Sequence, residues 1–270
     1  MSSGLPMTTL GRTGLRVTRL GIGGAYSPSP EVYRAALDCG VTYVDTARAY
    51  HDGDDERRIG EAIVGRRHNL VIATKTEKRD AAGARQDLET SLRLLGTDYL
   101  DVWQMHYLNT DEDLERILAP GGAMEAVTIA REQGLVRFVG LSGHRWETVA
   151  KAVSTGLFDT ALCWYNCAMD EPEKTVFPAA QAHGTGIVIM NATRGDMLLA
   201  PDDALPIAGF YRYVLTHPTV NVVLRGLRDP ERFVQVAQAL SEQATLDDPD
   251  ERLRYESYGK RLRAAGKLEM

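Results

Sequence analysis

Three short apolar runs in the first half of the chain each end on an ionisable side chain. Asp45 ends the first run, Lys75 ends the second 30 residues later, and His106 ends the third after a further 31 residues. Tyr50 follows Asp45 in the same predicted loop. This spacing is what a strand, a helix and two loops need when parallel strands repeat. We therefore expect the four groups to gather at the carboxyl ends of one sheet.

A carboxylate, an ammonium, a phenol and an imidazole at one sheet edge indicate acid–base chemistry. A free tyrosine has a pKa of about 10, and a nearby Lys75 ammonium would favour the phenolate and lower the pKa of Tyr50. Asp45 would keep Lys75 charged and aimed, because an unpaired ammonium is costly in a dry site. Each residue also has a structural alternative, as helix cap, loop anchor, solvated lysine or core histidine. Their occurrence in consecutive units favours catalysis.

Eight strand–helix units can be read along the chain, which predicts an α/β fold, a (β/α)8 TIM barrel with a parallel sheet buried on both faces. The strands are predicted at 20–24, 42–45, 70–74, 100–105, 136–141, 160–164, 186–190 and 221–224. The helices are predicted at 30–39, 55–64, 84–95, 121–133, 146–155, 172–183, 204–216 and 230–242.

The remaining segments complete a single predicted domain over 1–270. A β-hairpin at 7–19 is expected to cap one end of the barrel, which occupies 20–242. The tail at 243–270 is charge-rich with widely spaced apolar residues, so a helical tail on the surface and a mobile tail are both open.

The composition, with 44% hydrophobic and 25% charged residues, is typical of a globular protein with a sizeable core. A net charge of −6 without a basic stripe argues against nucleic acid, and no apolar run suggests a membrane span. The absence of a signal-peptide pattern and the odd count of three cysteines favour a cytoplasmic protein. No metal site is predicted, because Cys163 and Cys167 lack a second ligand pair. A small molecule is the expected partner, and the oligomeric state is left open.

Several motifs resemble those of the aldo-keto reductase family in order and spacing, over roughly residues 7–240. The set Asp45, Tyr50, Lys75 and His106 is similar to the catalytic tetrad of that family. Further resemblances lie at 10–17 (LGRTGLRV), 45–50 (DTARAY), 56–60 (ERRIG), 92–101 (LRLLGTDYLD) and 134–142 (GLVRFVGLS).

The resemblance implies a barrel that binds a nicotinamide cofactor, usually NADPH with NADH possible, and reduces aldehydes or ketones to alcohols. In this scheme the cofactor supplies a hydride and Tyr50 supplies the proton. His106 would hydrogen-bond the substrate carbonyl beside Tyr50 and stabilise the developing alkoxide.

The nicotinamide grip of the family is only partly matched. Ser142 is present, but Gly143 stands where the family has an asparagine, and Leu162 falls where it has a glutamine. The stacking aromatic on the seventh barrel strand is also missing. Asn166 and Asn191 are the residues that could substitute.

The loop after the eighth barrel strand resembles the family's phosphate loop. Arg225, Gly226 and Arg228 are its candidate cofactor-binding residues, and either arginine could pair with the 2′-phosphate of NADPH. A plain strand-to-helix turn with solvated arginines is the alternative.

Aromatic residues near strand ends are the substrate-binding candidates: Tyr26, Tyr107, Trp164 and Tyr165. Aromatic walls would favour apolar or ring-bearing carbonyls, although each residue could instead pack under a loop. The incomplete nicotinamide grip leaves two other functions open. One is a nucleotide-binding regulatory barrel with little turnover, and the other is a cofactor-independent lyase or isomerase that uses the Tyr–Lys pair.

Overall fold

The computed structural model describes residues 4–25 and 29–268. Eight parallel strands form a closed barrel in which chain neighbours pair and the last strand pairs with the first, so the predicted (β/α)8 fold is confirmed. The hairpin strands are β1 (Met7–Thr9) and β2 (Arg16–Thr18). The barrel strands are β3 (Leu20–Gly23), β4 (Tyr43–Asp45), β5 (Val71–Thr76), β6 (Leu100–Met105), β7 (Val136–Ser142), β8 (Thr160–Trp164), β9 (Gly186–Met190) and β10 (Val220–Gly226).

Helices surround the barrel and cover the outer face of its strands. They are α1 (Pro30–Asp38), α2 (Asp54–Ala62), α3 (Ala81–Leu95), α4 (Asp111–Leu118), α5 (Ala123–Glu132), α6 (Trp146–Ser154), α7 (Val176–His183), α8 (Ile207–Thr216), α9 (Pro230–Glu242) and α10 (Pro249–Ala264). Every residue of β4, β5, β6 and β8 is buried, as expected for strands with a packed interior on one face and helices on the other.

Helix α4 was not predicted from the sequence. The Thr110 side chain caps it by accepting a hydrogen bond from the backbone N–H of Asp113. Only Leu114 and Ile117 are buried in this eight-residue helix, so its apolar stripe is too short to stand out as a periodic pattern. The loop after β6 is therefore longer and more structured than expected.

The hairpin closes the amino-terminal end of the barrel, as predicted. Leu10 and Val17 are fully buried and pack with barrel-interior residues such as Tyr43 and Val222. The Arg12 backbone N–H donates to the carbonyl of Gly184 at 2.6 Å, at the start of β9. The opposite end, where the strands finish, stays free for a site.

The tail contains helix α10, which packs against the body of the protein, so the mobile-tail alternative is wrong. The hydroxyl of Tyr255 donates to the carbonyl of Pro206 at 2.9 Å, and that of Tyr258 donates to the carbonyl of Leu198 at 2.8 Å. Both rings are buried. Within the described residues, none of the helices combines the length and apolarity needed to cross a bilayer.

Candidate active site

The four residues of the predicted tetrad meet at the carboxyl ends of three neighbouring strands. Asp45 is the last residue of β4, Lys75 lies near the end of β5, and His106 directly follows β6. Tyr50 begins a 3₁₀ turn in the loop after β4. The parallel register places β4 beside β5 and β5 beside β6, so residues far apart in sequence share one edge.

Lys75 is the centre of this group and is only 1% exposed. Its Nζ donates to the Asp45 carboxylate and, at 2.7 Å, to the backbone carbonyl of Thr46. The third acceptor is the Tyr50 hydroxyl oxygen, 3.4 Å from Nζ. Because all three ammonium hydrogens have a partner, the lysine is held in one position.

The acceptors of Lys75 are themselves held by buried side chains. Gln104 Nε2 donates to the second oxygen of Asp45 at 2.7 Å. The Thr46 hydroxyl donates to Asp55 at 2.6 Å, and Asp55 also accepts from the hydroxyl of Tyr33 at 2.6 Å. Such fully satisfied networks fix geometry, so these residues orient the lysine from behind.

Charge and burial act in opposite directions on Lys75 and on Tyr50. Burial is the largest effect and would lower the pKa of Lys75, but the charges and hydrogen bonds of Asp45 and Tyr50 together outweigh it, so the pKa is raised. Burial raises the pKa of Tyr50, and the ammonium of Lys75 offsets only part of that effect. The expectation that Lys75 would bring the pKa of Tyr50 down is therefore wrong for this structure. Tyr50 is a protonated phenol at neutral pH.

His106 is a buried, neutral imidazole. Burial first, and then the charge of Lys75, lower the pKa of His106 to about 2. Its Nδ1 lies 3.3 Å from Glu77 Oε1 but without hydrogen-bonding geometry, so Nδ1 has no hydrogen-bond partner. The His106 and Tyr50 rings meet edge to face, with centroids 5.7 Å apart. Two groups able to act on one ligand oxygen thus lie side by side.

A cavity of about 480 Å³ opens over these residues and includes most of the predicted binding residues. Besides the tetrad, its wall contains Ser142, Asn191, Arg225, Gly226, Arg228, Tyr107 and Trp164. Tyr26, the remaining substrate candidate, lies outside the described residues. The structure therefore brings the tetrad and the residues at and just after the end of β10 to one cavity.

The structure does not bring Asn166 or Tyr165 to the cavity wall. The side chain of Asn166 is buried in a turn, where Nδ2 donates to the carbonyl of Asn191 and Oδ1 accepts from the backbone N–H of Ala168. Asn166 thus holds the loop that carries Asn191. Tyr165 is a core aromatic whose hydroxyl donates to Glu173 at 2.6 Å.

Two cavity regions differ in polarity. At the end of β10, Arg225 Nη1 donates to the hydroxyl of Tyr211 at 2.9 Å, while its buried Nε has no partner. At the other region Leu162 and Met190 form an apolar wall. A side chain at Gly143 would approach the carbonyl of Leu108 to 2.7 Å, so the family's asparagine has no room there.

Sequence reasoning missed several residues of the site. Gln104 lies on β6 two residues before His106, and strand alternation could have indicated that it points the same way. His144 and Arg194 line the cavity from loops, and Tyr211 reaches it from α8. Nothing local in the sequence marks those three.

Comparison with known proteins agrees with this geometry. The family model described as the aldo/keto reductase family matches residues 21–204. The aldo-keto reductase YhdN of Bacillus subtilis is 32% identical over 197 residues, which cover 64% of this chain and 58% of that protein. The chain thus spans about 60% of the length of the curated Bacillus subtilis relatives it matches.

Two solved structures share the fold. The holo form of aldo-keto reductase AKR11C1 from Bacillus halodurans has a TM-score of 0.82 at 23% identity, with 94% of this chain and 96% of that chain covered. An aldo-keto reductase from Klebsiella pneumoniae in complex with NADPH has a TM-score of 0.77 at 24% identity, with 96% of each chain covered. From the family model and the barrel with its strand-end tetrad, we conclude that this chain belongs to the aldo/keto reductase family.

Proposed function

We propose that the protein reduces aldehydes or ketones to alcohols with a nicotinamide cofactor, NADPH in preference to NADH. The observation that carries the proposal is the hydrogen-bonded chain from Asp45 through Lys75 to Tyr50 beside a neutral His106. Family membership supports the reaction class, and the NADPH complex of the Klebsiella pneumoniae neighbour supports the cofactor.

The four residues have complementary roles in this proposal. A substrate carbonyl oxygen lies between the Tyr50 hydroxyl and the His106 imidazole, where both groups donate hydrogen bonds. When bound, the nicotinamide supplies the hydride. Tyr50 transfers its proton to the oxygen, and the Lys75 ammonium stabilises the phenolate that remains. Asp45 keeps Lys75 charged and aimed during the transfer.

The cavity offers more binding groups for the phosphates of a dinucleotide than for its nicotinamide amide. The unpartnered Nε of Arg225, together with Gly226 and Arg228, would hold phosphate, and two arginines favour NADPH. Ser142 and Asn191 are the polar residues that would hold the nicotinamide amide. The apolar wall near them predicts a looser grip on the amide, which costs on the order of 1 kcal/mol per missing hydrogen bond.

That looser grip is the observation that favours a second candidate, a nucleotide-binding regulatory barrel with little turnover. A titration with NADPH and with NADH, followed by nicotinamide absorbance with a panel of aldehydes, separates the candidates. Oxidation of bound NADPH supports the reductase. Binding without oxidation supports the regulatory barrel, and no binding of either cofactor supports a cofactor-independent lyase or isomerase.

The role of Tyr50 is tested by Tyr50→Phe, which removes the proton donor but keeps the ring. We expect turnover to fall by about 100-fold or more, with the NADPH dissociation constant nearly unchanged. Tyr99→Phe is the matched control, because the Tyr99 ring lies against Arg67 away from the cavity. Normal turnover in Tyr50→Phe would refute the assignment.

A further inference from the structure

Arg194 is a buried cation in the wall of the candidate active site. It is 6% exposed, and its Nη2 donates to the backbone carbonyl of Leu268 at 3.2 Å. Its Nε has no hydrogen-bond partner, and no carboxylate of residues 4–25 or 29–268 forms an ion pair with it. A buried charge is costly unless it is paired, and among the described residues Arg194 has only a backbone acceptor, so a ligand carboxylate in the cavity would stabilise it.

A second unpaired donor lies against the guanidinium. The Cζ of Arg194 is 4.5 Å from the ring centroid of Trp164, whose buried indole N–H also lacks a partner. Both groups donate and neither can accept a hydrogen bond. Two adjacent donors, one of them cationic, match the two oxygens of a carboxylate.

A row of ring contacts connects this position with the proposed reaction centre. Trp164 stacks on His144 at 4.5 Å between centroids, and His144 meets Tyr107 at 5.0 Å. Tyr107 in turn stacks on His106 at 3.9 Å. Burial and then the charge of Arg194 lower the pKa of His144, so no second cation competes for the anion.

We propose that the substrate carries a carboxylate in addition to its carbonyl, and that Arg194 and Trp164 bind that carboxylate while the carbonyl lies at Tyr50 and His106. This inference rests on the proposed reductase function and names its substrate class. The cofactor phosphates are the other possible anions, and Arg225 at the end of β10 and Arg228 after it are the residues proposed above to hold them. Arg194 belongs to the row of rings that leads to His106.

The test uses a matched substrate pair, 4-carboxybenzaldehyde and its methyl ester, which differ in charge but share the aldehyde. We expect the wild type to prefer the acid in kcat/KM, and Arg194→Met to reduce this preference by about 30-fold or more. Arg194→Lys keeps the charge without the planar fork and retains part of the preference. Arg85→Met, which removes an exposed arginine on α3, leaves the preference unchanged. Circular dichroism and thermal melting confirm that each variant is folded.

Binding is measured independently of turnover by calorimetry with 4-(hydroxymethyl)benzoate and the corresponding amide. Tighter binding of the benzoate by the wild type, lost in Arg194→Met, supports the proposal. Equal binding of both compounds by the wild type overturns it. A weaker NADPH affinity in Arg194→Met with an unchanged acid preference also overturns it, because the anion then belongs to the cofactor. If the benzoate preference exists but no carbonyl is reduced, the anion site stands and the reductase function fails.

Discussion

Replacing His106 by Gln is expected to make the protein less sensitive to acid. The imidazole of the unfolded chain has a pKa of about 6.5, whereas burial and Lys75 lower the pKa of the folded group to about 2. Below pH 6.5 the unfolded chain therefore binds a proton that the folded chain does not. The free energy of unfolding consequently falls as the pH drops from 6.5 towards 2. Glutamine has no such proton and loses this contribution.

The size of the effect follows from the proton uptake of the unfolded state. Between pH 7.5 and pH 5.5 the His106 imidazole lowers the free energy of unfolding by about 1.3 kcal/mol. In this pH range the figure is set by the unfolded pKa, because the folded group stays neutral. All other titrating groups are common to both proteins, so the difference between wild type and His106→Gln isolates the imidazole.

The measurement is urea unfolding of the ligand-free protein at several pH values from 5.5 to 7.5. As the pH falls, the free energy of unfolding of His106→Gln minus that of the wild type should rise by about 1.3 kcal/mol. Tyr50→Phe is the control, because it alters the same cavity but removes a phenol whose raised pKa lies above this pH range. Its free energy of unfolding should therefore depend on pH in the same way as that of the wild type. Parallel curves for His106→Gln and wild type would show that the folded imidazole takes up a proton. The neutral hydrogen-bond donor in the proposed mechanism would then be lost.

Two further predictions concern packing and orientation. Gln104→Leu removes the amide that donates to Asp45, so a buried carboxylate oxygen loses its partner. We expect the free energy of unfolding, measured by urea titration, to fall by about 1–3 kcal/mol. An unchanged urea midpoint would contradict the role given to Gln104. Gly209→Ala places a methyl group against the ring of Tyr255 and should cost about 1–3 kcal/mol by displacing α10. The cost should disappear in a Tyr255→Ala background, and an equal cost in both backgrounds would show that the contact is not responsible.

Local patterns were sufficient for the fold. Each barrel strand is a short apolar run and most helices have an amphipathic stripe, so the eight units could be counted without knowledge of their packing. Helix α4 was missed because it buries only two apolar residues. The tail was ambiguous because its helix is fixed by distant hydroxyl contacts from Tyr255 and Tyr258.

The tetrad could be located from the sequence because it depends on strand ends, which are local features. Asp45, Lys75 and His106 each end an apolar run, and parallel strands bring such ends together whatever their separation in the chain. The cofactor-binding residues were harder to predict from the sequence. Asn166 has a suitable residue type, but its side chain makes hydrogen bonds within a turn and does not reach the cavity. Residue type and position do not determine where a side chain points.

The sequence by itself determined the barrel, its hairpin and the four groups at its mouth, because periodicity and strand order are properties of the chain. Only the tertiary structure decided the direction in which the pKa of Tyr50 moves and the placement of Arg194 against Trp164. Both depend on burial and on charges brought close by segments far apart in sequence, and those distances exist only once the chain has folded.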